Sequence, residues 1–71
     1  MKYPLTKKQK MCFEFIKNYI QEHDMAPSYR EIMKGTHTNS IGGVGLKLTV
    51  LQRKGWIKKL DASWRAIAIN D

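Results

Sequence analysis

Ser40-Ile41-Gly42-Gly43-Val44-Gly45-Leu46-Lys47-Leu48-Thr49-Val50-Leu51-Gln52-Arg53-Lys54-Gly55 carries a helix start at one end and a helix stop at the other. Ser40 is a capping residue, whose hydroxyl accepts from the free N–H groups of a first turn. Gly55 suits the left-handed conformation that closes a last turn. Arg53 and Lys54 place positive charge where the helix dipole favours it. Ile41, Val44, Leu48 and Leu51 recur at helical spacing and predict a buried stripe. The far face then carries Gly42, Gly43, Leu46, Thr49, Val50 and Arg53. A helix over 41–54 that offers this face to a partner is the centre of the reading.

Upstream, Thr6-Lys7-Lys8-Gln9 has the capping-box form and predicts a first helix over 7–23. Cys12, Phe13, Ile16, Tyr19 and Ile20 give it an apolar face. Pro27 disfavours helix at Ala26. Ser28-Tyr29-Arg30-Glu31 is a second capping box and opens a short helix over 28–34. Gly35-Thr36-His37-Thr38-Asn39 reads as a turn, in which His37 is either a solvent-exposed loop residue or a phosphate contact. Short helix, turn and longer capped helix make a helix-turn-helix. Downstream the period changes to that of strands at 56–60 and 65–69, with a short hairpin loop between them. The expected fold is one mainly α domain over 1–71: three helices and a small two-stranded β-hairpin, a winged helix-turn-helix.

The 71 residues suffice for one small domain. The formal net charge is +7, distributed as +4 over residues 1–13, −2 over 14–31 and +5 over 32–71. That footprint suits a polyanion, because phosphate contacts release condensed counterions. No apolar run is long enough for a membrane span or a signal peptide, so a cytoplasmic protein is expected. Cys12 is the single cysteine, read as a small core residue. With His23 and His37 it has no metal-ligand spacing, so neither metal nor cofactor is expected. The Gly-Gly-Val-Gly run lacks the Lys-Ser/Thr of a phosphate-binding loop. No catalytic triad or carboxylate pair is readable, and an enzyme is not expected.

The chain resembles the N-terminal DNA-binding domain of the LexA repressor family. The match is carried by Leu5-Thr6 with Gln9, Phe13 and Ile16, then by Pro27 and Ser28-Tyr29-Arg30-Glu31-Ile32. Ser40, Leu48, Leu51, Arg53-Lys54-Gly55 with Ile57, and Arg65 with Ile67 continue it to the hairpin. The resemblance runs without gaps over essentially the whole chain and does not extend to the family's self-cleaving peptidase domain. It implies duplex DNA binding and transcriptional repression, in a bacterial or phage-encoded protein associated with the nucleoid when bound. There are two departures. Gly35 arrives early and Thr36 takes a leucine position, which predicts a shorter second helix. The positions that contact bases in the family fall on Ser40, Gly42, Gly43, Gly45 and Leu46, of which only Ser40 keeps a polar side chain.

The expected partner is therefore double-stranded DNA, with the helix over 28–34 crossing the backbone and that over 41–54 in the major groove. The candidate DNA-binding set is Ser28, Tyr29, Arg30, Thr38, Asn39, Ser40, Gly42, Gly43, Gly45, Leu46, Lys47, Thr49, Arg53, Lys54, Lys58, Trp64 and Arg65. Leu46, Val50 and the Thr49 methyl suit thymine methyl groups, while the Thr49 hydroxyl and Arg53 are donors. Lys47, Lys54, Lys58 and the N-terminal lysines suit phosphates. Arg65 suits a minor groove, and Trp64 either meets a sugar edge or folds onto the sheet. Replacing Gly43 with alanine is expected to leave stability equal or slightly higher. The alternative is a winged-helix protein-interaction module, an antirepressor or adaptor, docking a second copy or another protein through the Gly/Leu/Val face. A homodimer on DNA fits either reading.

Overall fold

The computed structural model describes residues 2–59 and 67–70. It contains three helices, α1 (Lys7–His23), α2 (Tyr29–Gly35) and α3 (Ile41–Arg53), and an antiparallel hairpin of β1 (Ile57–Lys59) and β2 (Ile67–Ile69). The strands pair Ile57 with Ile69, Lys58 with Ala68 and Lys59 with Ile67. The expected loop at 61–64 lies outside the described residues.

Both predicted capping boxes are formed. Thr6 accepts from the Gln9 N–H while the Gln9 side chain takes the Thr6 N–H. Ser28 and Glu31 do the same for α2. The Glu31 carboxylate serves twice, because its other oxygen accepts from the Tyr19 hydroxyl at 2.8 Å and ties α2 to α1. At seven residues α2 is too short to stand alone, and this contact and the burial of Ile32 hold it in place.

The core is formed by Cys12, Phe13 and Ile16 of α1, Ile32 of α2, Val44, Leu48 and Leu51 of α3, and Ile57 and Ile67 of the hairpin. Burying each large aliphatic side chain contributes about 1.5–3 kcal/mol relative to exposure. Trp56 packs edge-on against Phe13, with ring centroids 5.1 Å apart. Ile41, expected in the buried stripe, is 42% exposed. It is the first residue of α3, at the margin of the arc set by Val44, Leu48 and Leu51, where the helix has not yet reached its neighbours.

Two helix ends share one device. After α3, Gly55 takes φ 89°, the Gly55 N–H bonds the Gln52 carbonyl and the Trp56 N–H bonds that of Leu51. This is a Schellman motif, and it keeps Trp56 out of the strand that the sequence placed at 56–60. After α2, the His37 N–H bonds Lys34 O, the Thr38 N–H bonds Met33 O, and His37 takes φ 55°. The stop is therefore His37, a non-glycine residue in the left-handed position, and not Gly35. Gly35 is the last residue of α2, and a Cβ there would overlap the ring of Phe15. Its glycine answers to packing between α1 and α2 rather than to the turn.

Candidate nucleic-acid interface

Gly42, Leu46, Thr49 and Arg53 form one exposed row along α3, opposite its buried residues. Leu46 is 71% exposed, the most open large apolar side chain described. Ser40 caps the helix by accepting from the Gly43 N–H at 3.0 Å, which leaves its own hydroxyl proton to offer. The Thr49 hydroxyl donates to the Gly45 carbonyl at 3.0 Å. It thus faces outward as an acceptor, in contrast to the donor role that the sequence suggested.

The three glycines of α3 differ. A Cβ on Gly45 would meet nothing within 4 Å, and one on Gly42 only the Ser40 hydroxyl at 4.0 Å. A Cβ on Gly43 would lie 3.0 Å from the Thr38 methyl and 3.3 Å from the Ser40 hydroxyl. Alanine at Gly43 would therefore press on the turn, and the Thr38 methyl must give by a few tenths of an ångström to admit it, which offsets the gain in helix propensity. Nothing inside the fold requires glycine at 42 or 45.

A relay of polar atoms fixes the turn before α3. The Lys47 ammonium donates to the Thr38 hydroxyl at 2.9 Å, which lies 2.7 Å from the Thr36 hydroxyl, and Thr36 donates to the Ile32 carbonyl at 2.7 Å. Because Thr36 donates to the carbonyl, Thr38 is the donor between the hydroxyls. The departure of Thr36 from leucine thus has a structural use: it links α2, turn and α3 through hydrogen bonds.

The remaining candidates divide. Asn39 and Arg30 are exposed, and Tyr29 is half-buried, with Ser28 and Ile41 around the same shallow depression. Ser28 is buried, and its N–H and hydroxyl oxygen both serve the cap of α2. That geometry withdraws it from direct contact with a large ligand. Lys54 is half-buried, and its ammonium donates to Pro4 O at 2.9 Å and to Gln9 Oε1 at 2.8 Å. It holds the fold together, which the sequence reading did not anticipate. Lys58 is exposed on β1. Trp64 and Arg65 lie outside the described residues.

Two residues that the sequence offered separately as phosphate contacts, Lys8 among the N-terminal lysines and His37 in the turn, are brought together beside this set. Lys8 and His37 share a cleft of about 180 Å³ with Lys47, Thr36 and Met11. Lys8 belongs to the N-terminal charge block and His37 to the turn; only the packing of α1 against the α2–α3 turn brings them together.

Cys12 is fully buried, and burial pushes its thiol up from the ordinary range, partly offset by the charge of Lys47. Among the described residues, no helix is long and apolar enough to cross a membrane.

Comparison with known proteins places this geometry. The family model for the LexA DNA binding domain matches residues 1–66. A LexA repressor of Caldicellulosiruptor saccharolyticus is 44% identical over 71 residues, covering all of this chain and 35% of the relative. One from Petrotoga mobilis is 37% identical over 59 residues, covering 83% of this chain and 29% of the relative. The transcription regulator LexA of Synechocystis is 33% identical over 66 residues, covering 93% of this chain and 32% of the relative. The chain thus spans about a third of the length of these relatives.

Proposed function

Because the chain belongs to the LexA DNA-binding domain family, we propose that it reads duplex DNA sequence-selectively with α3 in the major groove and acts in transcriptional repression. The observation that carries this reading is the exposed α3 row bordered by two glycines that the fold does not require. Glycine in a helix interior is less favourable than alanine by about 0.8–1 kcal/mol. Gly45 bears that cost and Gly42, in the first turn, a smaller one, both with open space beside them, which suits close approach of the α3 backbone to base edges. Leu46 and the Thr49 methyl would meet thymine methyl groups, and Ser40, Asn39 and Arg53 would supply donors. Arg30, Tyr29, Lys47 and Lys58 would hold phosphates on either side. A duplex-bound, nucleoid-associated protein is the corresponding location, and two copies on a two-fold operator the corresponding assembly.

Selection of bound sequences from a random duplex pool at two salt concentrations tests the reading. A recovered motif supports it, and a pool that stays random removes sequence selectivity. The second reading, docking of a protein, draws on the exposure of Leu46 beside half-buried Val50. It would appear as salt-insensitive association in place of DNA binding.

A further inference from the structure

We propose that the cleft between the start of α1 and the α2–α3 turn seats one backbone phosphate of the bound duplex, with the Lys8 and Lys47 ammonium groups and the His37 imidazole N–H as its donors. This inference rests on the duplex reading above and adds a contact that anchors α1, outside the helix-turn-helix, to the DNA backbone.

Charge is the first support. The cleft is lined by Lys8, His37, Lys47, Thr36 and Met11, with no carboxylate among them. Basic groups gathered around one space repel one another unless an anion enters. Lys47 is held in place by its hydrogen bond to the Thr38 hydroxyl. An ammonium has three donors, so two remain for a phosphate oxygen.

Two further supports are local choices that work against stability and converge on this cleft. Lys8 lies in the first turn of α1, which carries no acidic residue. Positive charge there opposes the helix dipole, and an acid would suit it. His37 occupies the left-handed position of the α2 Schellman motif at φ 55°, where glycine is the favoured residue. Histidine, like the Asp24 that takes φ 60° at the end of α1, is among the non-glycine residues that enter this conformation most readily, yet glycine would be the less strained choice. Each residue is a poor choice for its own element, yet both side chains face the same small cleft. A phosphate accounts for both, since an ammonium and an imidazole N–H are phosphate donors.

The test compares the 71-residue chain with a Lys8→Gln/His37→Gly double variant. Both changes suit their local backbone, so the variant should melt no lower than the parent. Binding is measured across a salt series to a selected duplex and to an unrelated one. The expected result is an equal fractional loss of affinity on both duplexes, and a slope of log K against log salt flatter by about 0.9, the effect of one phosphate. Lys17→Gln, on the same helix but outside the cleft, should change the slope much less. Lys8→Glu gives a second reading through charge reversal, with a larger loss and an undiminished melting temperature. An unchanged slope in the double variant, or an equal change in Lys17→Gln, overturns the seat and leaves the duplex reading intact. A parent chain whose duplex binding ignores salt overturns both.

Discussion

The ammonium of Lys54 lies 2.8 Å from Oε1 of Gln9, so the residue that ends α3 is bonded to the residue that completes the capping box of α1. The same oxygen accepts the Thr6 N–H at 3.0 Å. One amide oxygen thereby joins the start of the first helix to the exit of the third. The contact is charge-assisted on the lysine side, and a second donor of the same ammonium reaches Pro4 O.

Lys54→Met should therefore act on stability first. Hydrogen bonds to charged groups contribute about 1.5–3 kcal/mol, and the half-exposed setting reduces this to a loss of about 1–2 kcal/mol by the screening argument. Urea denaturation would measure it. In DNA titrations of the folded variant, the salt slope should stay near that of the parent. A slope flatter by a full unit with unchanged stability would restore Lys54 to the role of phosphate contact.

The glycines of α3 give predictions of opposite sign. Gly45→Ala should raise stability by about 0.5–1 kcal/mol and Gly42→Ala, in the first turn, by less, because the new methyl meets open space and helix propensity improves. Gly43→Ala should gain nothing or lose, since its methyl would press on the Thr38 methyl and the Ser40 cap. Thermal melts of the three variants distinguish these outcomes. If the α3 backbone approaches base edges, the two stabilised variants should bind their selected duplex more weakly.

Leu46→Glu removes no core contact from a side chain that is 71% exposed, so circular dichroism and melting should remain those of the parent. Specific DNA affinity should fall by about an order of magnitude or more, through phosphate repulsion and loss of the apolar contact with a thymine methyl. Retained DNA binding together with lost self-association in sedimentation would transfer this face to a protein partner.

Cys12 supplies a pH dependence. Its thiol is raised by burial, so the folded state holds the proton more tightly than the unfolded chain. The resulting stability is complete below the unfolded thiol range, about 8.5, and is lost as pH rises beyond it. Urea midpoints should therefore decline above about pH 8.5 more steeply for the parent than for Cys12→Ala. Equal declines would show that the thiol does not contribute. Native Cys12 should also resist thiol reagents until the fold opens.

Helix boundaries were legible because each is marked by side chains that act locally: Thr6 with Gln9, Ser28 with Glu31, Ser40, and Gly55. The far face of α3 followed from periodicity alone. What escaped the sequence depends on contacts across it. Gly35 looks like a helix stop, yet its lack of a Cβ makes room for Phe15, twenty residues earlier in the chain. His37 does the stopping, against residue preference, because two backbone hydrogen bonds to Lys34 and Met33 fix its conformation. Lys54 looks like a free cation until Pro4 and Gln9 are brought beside it. Lys8 had no visible tie to the turn, since no local pattern encodes how α1 leans on it. In each case the missing information is the packing of α1 against the other two helices.

The segment ahead of α1 has a kinetic meaning. The Tyr3 N–H bonds the Lys54 carbonyl at 3.0 Å, and the Tyr3 carbonyl accepts from the Trp56 indole at 2.6 Å, across 53 positions of the chain. The Lys2 ammonium sits over the same indole, 4.9 Å from its centre. During synthesis Tyr3 leaves the ribosome well before Trp56, so the clasp forms only once the third helix is complete. It closes a loop of most of the domain, and its amide should exchange with solvent more slowly than an unbonded one.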